Sequence, residues 1–165
     1  MSKAGSLDVA SLRAAHGRFA TGVAVVTACD TQGERHGITV NSFTSVSLEP
    51  PLVLYCLGRE AFGFAAFAEA PAFAVNVLAL EQKDLSDRFA REVRDAYPDL
   101  AVTTWATGSP VIEDSLAAFD CTREAVHDAG DHLIVVGRVE RFALLREAEP
   151  LIYFRGAYGR LEAET

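Results

Sequence analysis

The sequence predicts a mainly β fold, a closed or nearly closed antiparallel barrel with helices packed on its outside. Three observations carry that expectation. Apolar, β-branched runs separated by turn residues recur along the chain and give about seven to nine strands against two or three helices. Strands and helices do not alternate regularly, which disfavours a parallel doubly wound sheet. Half of the 165 residues are apolar, so the chain can fill a core without disulfide or metal staples. Barrels of that size are filled by side chains, which places a large ligand at a rim or a subunit interface rather than inside.

The elements follow in order. "LDVASLRAAHGRFATG" sets Leu7, Leu12, Ala15 and Phe19 near helical spacing, with Asp8 as N-cap and Gly17 or Gly22 as the stop. No linker or repeat interrupts the chain, so residues 1–165 are expected to form a single domain, with the helix in 1–18 packed on the barrel. "VAVVTAC", "DTQGER" and "HGITVNSF" read as strand, turn and strand. "TSVSLEPPLVLYCL" alternates at Val46 and Leu48, turns a corner at Pro50 and Pro51, and resumes as a buried strand from Leu52 to Leu57. Residues 60–70 put Phe64 and Phe67 on one helical face, and Pro71 ends that helix before the strand "AFAVNVLAL". A second helix, "EQKDLSDRFAR", comes next. "VTTWAT" and "GSPVI" are short extended pieces, and "LAAFDCTREAVHDA" with "HLIVVGRVERFALL" forms the longest hairpin. The tail "YFRGAYGRL" places Tyr153, Phe154, Arg155 and Tyr158 on one last strand, where ring packing and a place in a binding site explain the aromatics equally well.

Several function classes are disfavoured. Asp and Glu outnumber Lys and Arg by 23 to 15, a net charge of -8, which argues against nucleic acid or an anionic membrane as partner. No apolar run approaches the roughly 18 residues that span a bilayer. Cys29, Cys56 and Cys121 are widely separated and set in apolar stretches, as free thiols in a reducing, cytoplasmic compartment are. There is no G-x-G for a dinucleotide or phosphate loop, and no G-x-S-x-G nucleophile elbow. C-x-x-C and H-E-x-x-H are absent too, and "HDAGDH" reads as a hairpin turn before it reads as a zinc site, so no metal is expected.

What remains is polar chemistry set into apolar strands. "TVNSFTSVS", residues 39–47, carries five hydroxyls and an amide. Each such group left unpaired when buried costs about 1 to 3 kcal/mol. Either the protein satisfies them or a ligand does. "AGDH", ending at His132, is the second polar island.

Together with "FATGVAVVTACD", "HGITVNSFTSVSLEPPLVLYCL", "FAVNVLA", "LSDRFA", "AGDHLIVVGRV" and "PLIYFRGAYGRL", these stretches resemble the flavin reductase family of split-barrel flavin-binding proteins. The resemblance runs from about Phe19 to Leu161. It implies a split, Greek-key antiparallel β-barrel that binds FMN or FAD, takes a hydride from NADH or NADPH, and releases reduced flavin to a separate flavin-dependent monooxygenase. A homodimer with flavin near its interface is also implied. By the same resemblance Thr39, Asn41, Ser42, Thr44 and Ser45 lie along the isoalloxazine and ribityl chain, with Phe43 as a packing neighbour and Asn76 meeting either flavin or its own sheet. Gly130, Asp131 and His132 belong to the nicotinamide side, with His132 the candidate catalytic residue. Where the family shows closely spaced Ser or Thr to cradle the flavin phosphate, this chain reads "REAFGFAAF", leaving Arg59, backbone NH groups or Arg88 for that task. Two other readings keep a flavin: a tightly FMN-bound split-barrel oxidase, and a non-catalytic flavin-binding module.

Overall fold

The computed structural model describes residues 8–91, 97 and 99–161. Among these residues, twelve strands and three α-helices, with one 3-10 turn, make a mostly antiparallel β protein. The chain opens with helix α1 (Val9–His16), where Asp8 accepts a hydrogen bond from the Ser11 N–H and Gly17 closes the last turn. None of its residues is buried. Its anchor lies just beyond it, where the Arg155 N–H donates to the Gly17 carbonyl at 2.8 Å.

After the two-residue strand β1 (Thr21–Gly22), strands β2 (Ala24–Cys29) and β3 (Arg35–Val40) form the expected hairpin. Asp30 sets its turn by accepting from the Gln32 and Glu34 N–H groups. Strands β4 (Thr44–Leu48) and β5 (Pro51–Gly58) pair across the proline corner. Helix α2 (Phe64–Glu69) is shorter than the sequence suggests, because a left-handed Gly63 and the preceding turn occupy residues 59–63. Strand β6 (Ala72–Val77) stops three residues early, as the chain enters a 3-10 turn at Leu80–Gln82 and helix α3 (Lys83–Phe89). Short strands β7 (Val102–Thr104) and β8 (Pro110–Ile112) pair with each other, and β9 (Ala117–Ala129) and β10 (His132–Leu144) form the long hairpin.

The tail corrects the sequence reading. Arg155 and Gly156 both have positive φ and turn the chain between β11 (Ile152–Phe154) and β12 (Ala157–Gly159), so the single last strand is a tight hairpin.

The main sheet has seven strands in the order β3-β2-β6-β9-β10-β5-β4. Ile38 and Val40 from one end and Val53, Tyr55 and Leu57 from near the other share one core, closed by Phe67 of α2. The sheet therefore wraps around its own interior, yet β3 and β4 do not bond to each other, which is a split barrel. Strand β2 is buried continuously from Ala24 to Ala28 because both of its faces are covered. A second core of Val23, Val25, Leu78, Phe89 and Leu151 packs α3 and the β1-β11-β12 sheet on the outside.

Candidate functional site

The hydroxyl-rich stretch runs from the end of β3 into β4, the two free edges of the sheet, and its side chains meet different fates. Thr39 donates its hydroxyl to the Ser86 carbonyl of α3 at 2.7 Å, which leaves the oxygen's lone pairs able to accept. Ser42 is engaged by β5, accepting from the Cys56 N–H at 2.9 Å and donating to the Cys56 carbonyl at 3.4 Å. Phe43 turns to the core against Phe119, with ring centroids 5.4 Å apart. Thr44 and Ser45 are exposed on β4, opposite Leu54 and Val53, and the Thr44 hydroxyl reaches only the Ser45 carbonyl at 3.4 Å. Asn41 is exposed, and its amide makes no hydrogen bond among the described residues.

Three neighbouring cavities with shared lining residues follow this stretch. One of about 500 Å³ lies between Gly37 to Thr39, the turn at Glu60 to Phe62, and the end of α3 at Phe89 to Arg91. A smaller one of about 210 Å³ shares Thr39 and Ala90 with it and adds Asn41, Tyr153 and Tyr158. A third, about 580 Å³, shares Asn41 and Tyr153 and reaches Arg13, Arg18 and Arg155. The result is one groove along the outer edge of β3. Among the described residues no strand pairs with that edge, and beyond the His36 carbonyl, which Tyr97 occupies, its backbone groups are not taken up by a neighbouring strand.

Helix α3 can wall the groove because β3 has a glycine beneath it. A Cβ at Gly37 would stand 2.3 Å from Phe89 Cε1. Tyr97 packs edge-on against Phe89 and donates to the His36 carbonyl at 2.7 Å. Tyr153 and Tyr158 pack edge-on at 5.5 Å, as the ring-packing alternative expects, and both also line the smaller cavity. The Tyr158 hydroxyl lies 2.9 Å from Ser86 Oγ.

Two expected ligand residues are placed elsewhere by the fold. Asn76 is fully buried, donating to the Val25 carbonyl and the Thr27 hydroxyl and accepting from the Ile112 N–H at 2.8 Å. It holds β2, β6 and β8 together and faces no open surface, so of its two readings the sheet contact is the one realised. Arg59 is latched to the β9–β10 turn rather than held toward a phosphate, with Nε donating to the Gly130 carbonyl at 3.2 Å and Nη2 bonding Asp128. Its backbone N–H donates to the Asp131 carbonyl at 2.9 Å. Arg88 is exposed on the last turn of α3.

That latch braces the turn carrying the second polar island. Gly130 has a φ of 67°, as the tight turn requires, and His132 opens β10 directly opposite Gly58. With no side chain at Gly58, the imidazole lies across it; a Cβ there would touch Nε2 at 3.5 Å. His132 Nδ1 and Asp131 Oδ1 are 2.7 Å apart. That hydrogen bond is the main cause holding the Asp131 carboxyl below its usual range. An ionised Asp131 fixes the proton on Nδ1 and leaves the Nε2 lone pair without a proton. Strand β5 is the link between the islands: Ser42 is pinned at Cys56, and His132 faces Gly58, two residues on, or roughly 7 Å along the strand. His132 lies on open sheet surface and lines none of the three cavities.

Sequence reasoning missed Ser86, Ala90 and the cluster of Arg13, His16 and Arg18. A run of unpaired cations in an acidic chain was the available signal for the last three.

The fold and site together define an open-edged split barrel with a groove beside one free strand and a braced histidine at the β9–β10 turn. Comparison with known proteins makes the class specific. The family model described as flavin reductase like domain matches residues 16–162, and the chain belongs to that family. It is 49% identical over 154 residues to the FMN reductase (NADH) SmoA of Agrobacterium fabrum, covering 93% of this chain and 87% of that one. It is 39% identical over 159 residues to HsaB, a flavin-dependent monooxygenase reductase subunit of Rhodococcus jostii, covering 96% and 81%. The solved structure of the NADH:FAD oxidoreductase SgcE6 of Streptomyces globisporus, in complex with NAD and FAD fragments, superposes with a TM-score of 0.90 at 33% identity, covering 98% of each chain.

Proposed function

We propose that the chain is an NAD(P)H:flavin oxidoreductase that reduces FMN or FAD and passes the reduced flavin to a separate flavin-dependent monooxygenase. The observation that carries this is the open edge of β3, with the unbonded Asn41 amide just past its end, bordering a row of cavities in a member of the flavin reductase family. A flavin offers a rim of donors and acceptors that fits such an edge. When bound, it supplies the hydride-accepting ring.

The protein's part is placement. Asn41, the Thr39 lone pairs and the exposed hydroxyls of Thr44 and Ser45 meet the polar rim, while Ser42 and Phe43 fix the strand that presents them. Arg59 acts as a positioning residue, holding the turn of Gly130, Asp131 and His132 on the nicotinamide side. His132 offers Nε2 as a contact for the donor, with Asp131 orienting the ring. Arg91, two residues past the end of α3, lines the cavity beside Glu60, and Arg88 stands on the last turn of that helix. None of these residues needs to be a general acid or base. NADH is the donor in the names of both SmoA and SgcE6 and is the first to assay.

The chain works as a homodimer in this reading. In one protomer Leu48 is 93% and Leu144 81% exposed, on β4 and on the part of β10 that extends beyond β5, an amount of open apolar surface that a second copy would cover.

The test is anaerobic: catalytic protein is mixed with excess FMN or FAD and NADH or NADPH, and loss of the oxidised flavin absorbance is followed. Many turnovers of free flavin support the reading. A single turnover of flavin that stays bound would instead indicate a tightly bound oxidase, and flavin binding without turnover a binding module.

A further inference from the structure

The two ends of the groove differ in charge. At the α2 end the turn offers Glu60, Ala61 and Phe62, no hydroxyl, and a helix start at Gly63 with no capping side chain, while Arg59 is held by the neighbouring turn. A phosphate finds one guanidinium there, Arg91, beside the Glu60 carboxylate. At the other end, Arg13, His16, Arg18 and Arg155 line the cavity of about 580 Å³, and among the described residues no carboxylate lines it. Acidic residues outnumber basic ones by 23 to 15 in this chain, so an acid-free concavity with three arginines runs against the composition.

These arginines are also uncommitted. Arg59, Arg138 and Arg146 have carboxylate partners, whereas Arg13, Arg18 and Arg155 have none among the described residues. Arg13 and His16 sit in the last turn of α1, where they offset the partial negative charge of the helix end. Arg18 and Arg155 lie outside the helix and have no such role. Their positions are fixed: the Gly17, Arg18 and Phe19 N–H groups donate back to Arg13, Ala15 and His16, the Arg155 N–H donates to Gly17, and the Arg155 guanidinium lies 4.9 Å from the Phe154 ring. Beside them Phe19 is 78% exposed, a free aromatic face of the kind a nucleobase stacks on.

We propose that this cavity binds the phosphate groups of the nucleotide ligand in the groove, anchoring its anionic end between α1 and the β11–β12 turn instead of at α2. The proposal rests on the reading of the groove as a flavin and nicotinamide site. Guanidinium groups without carboxylate partners are suited to paired hydrogen bonds with phosphate oxygens.

The test uses Arg18→Gln and Arg155→Asn, singly and together. Asparagine tolerates the left-handed backbone at position 155, and both side chains are exposed, so the fold is kept and its thermal midpoint checks that. Dissociation constants are measured for riboflavin, FMN and FAD by quenching of flavin fluorescence, and for NAD+ by calorimetry. The double variant should weaken at least one phosphate-bearing ligand by roughly tenfold or more, while riboflavin stays within about twofold. Loss shared by FMN and FAD assigns the cavity to the flavin monophosphate, loss for FAD alone to its distal phosphate, and loss for NAD+ alone to the nicotinamide dinucleotide. Unchanged affinity for all four ligands, or an equal loss for riboflavin, overturns the proposal. If the unaltered protein bound no flavin at all, the flavin-reductase reading itself would fail first.

Discussion

Asn41, just past the end of β3, and Asn76, within β6, have the same side chain, yet burial gives them opposite work. Asn76, enclosed between β2, β6 and β8, satisfies three backbone or hydroxyl partners, and replacing it with Leu strands the Ile112 N–H and the Val25 carbonyl. That change should lower stability by about 2 to 4 kcal/mol in urea unfolding. Asn41→Leu, at an exposed and unbonded site, should leave the unfolding midpoint unchanged and weaken flavin binding, read by fluorescence quenching. The sequence marked both residues as polar positions in apolar strands but could not tell them apart, because the partner of a buried amide is set by strands distant in the chain. For His132→Ala, KM for NADH should rise about three- to tenfold, the loss of one hydrogen bond, with flavin affinity unchanged. Cys121 presents the converse case: burial pushes its thiol up to about 12, so it should resist thiol reagents at neutral pH in the native protein and react after unfolding.

At the level of elements, local signals placed most boundaries. Asp8 and Gly17 bracket α1, the proline pair marks the β4–β5 corner, and Gly130 with Asp131 closes the β9–β10 hairpin, each through contacts a few residues apart. Docking of α3 is a different matter. It depends on Gly37 of β3 meeting Phe89, a contact across 52 positions that no local pattern announces. Gly37→Ala should therefore force the Phe89 ring off β3, destabilising the fold by about 1 to 3 kcal/mol and weakening flavin binding as the groove wall shifts; urea unfolding and flavin titration would measure the two effects. Normal stability together with normal flavin affinity would show that α3 does not shape the groove. The tail hairpin escaped the sequence reading because Arg-Gly is not a strong turn signal, and its backbone is held by the Gly17 contact from the far end of the chain.

For the whole molecule, charge and surface set the predictions. Hydrogen bonds from His36, Lys83, Arg138 and His132 hold the carboxyls of Asp30, Asp87, Glu124 and Asp131 below their usual range. Carboxyls with lowered pKa in the folded state contribute stability that is full above the ordinary carboxylate pKa and fades as the pH falls through the lowered values. Urea midpoints should accordingly hold steady from pH 7 to about 5 and decline below about 4. Light scattering should give twice the 17.7 kDa chain mass, and Leu144→Glu should shift the population toward the monomer; an unaltered protein that runs as a monomer would leave the exposed β10 end without its proposed cover. The β-rich class, the hairpins, the helix caps and the resemblance to flavin reductases were legible in the chain because each rests on local spacing or on blocks of residues in a fixed order. Which hydroxyls and amides remain open to a ligand, where Arg59 is held, and how Arg13, Arg18 and Arg155 come to share one cavity were decided only by tertiary structure. Those outcomes depend on pairing between segments as far apart as Gly17 and Arg155, and a side chain's freedom is set by what the rest of the fold brings against it.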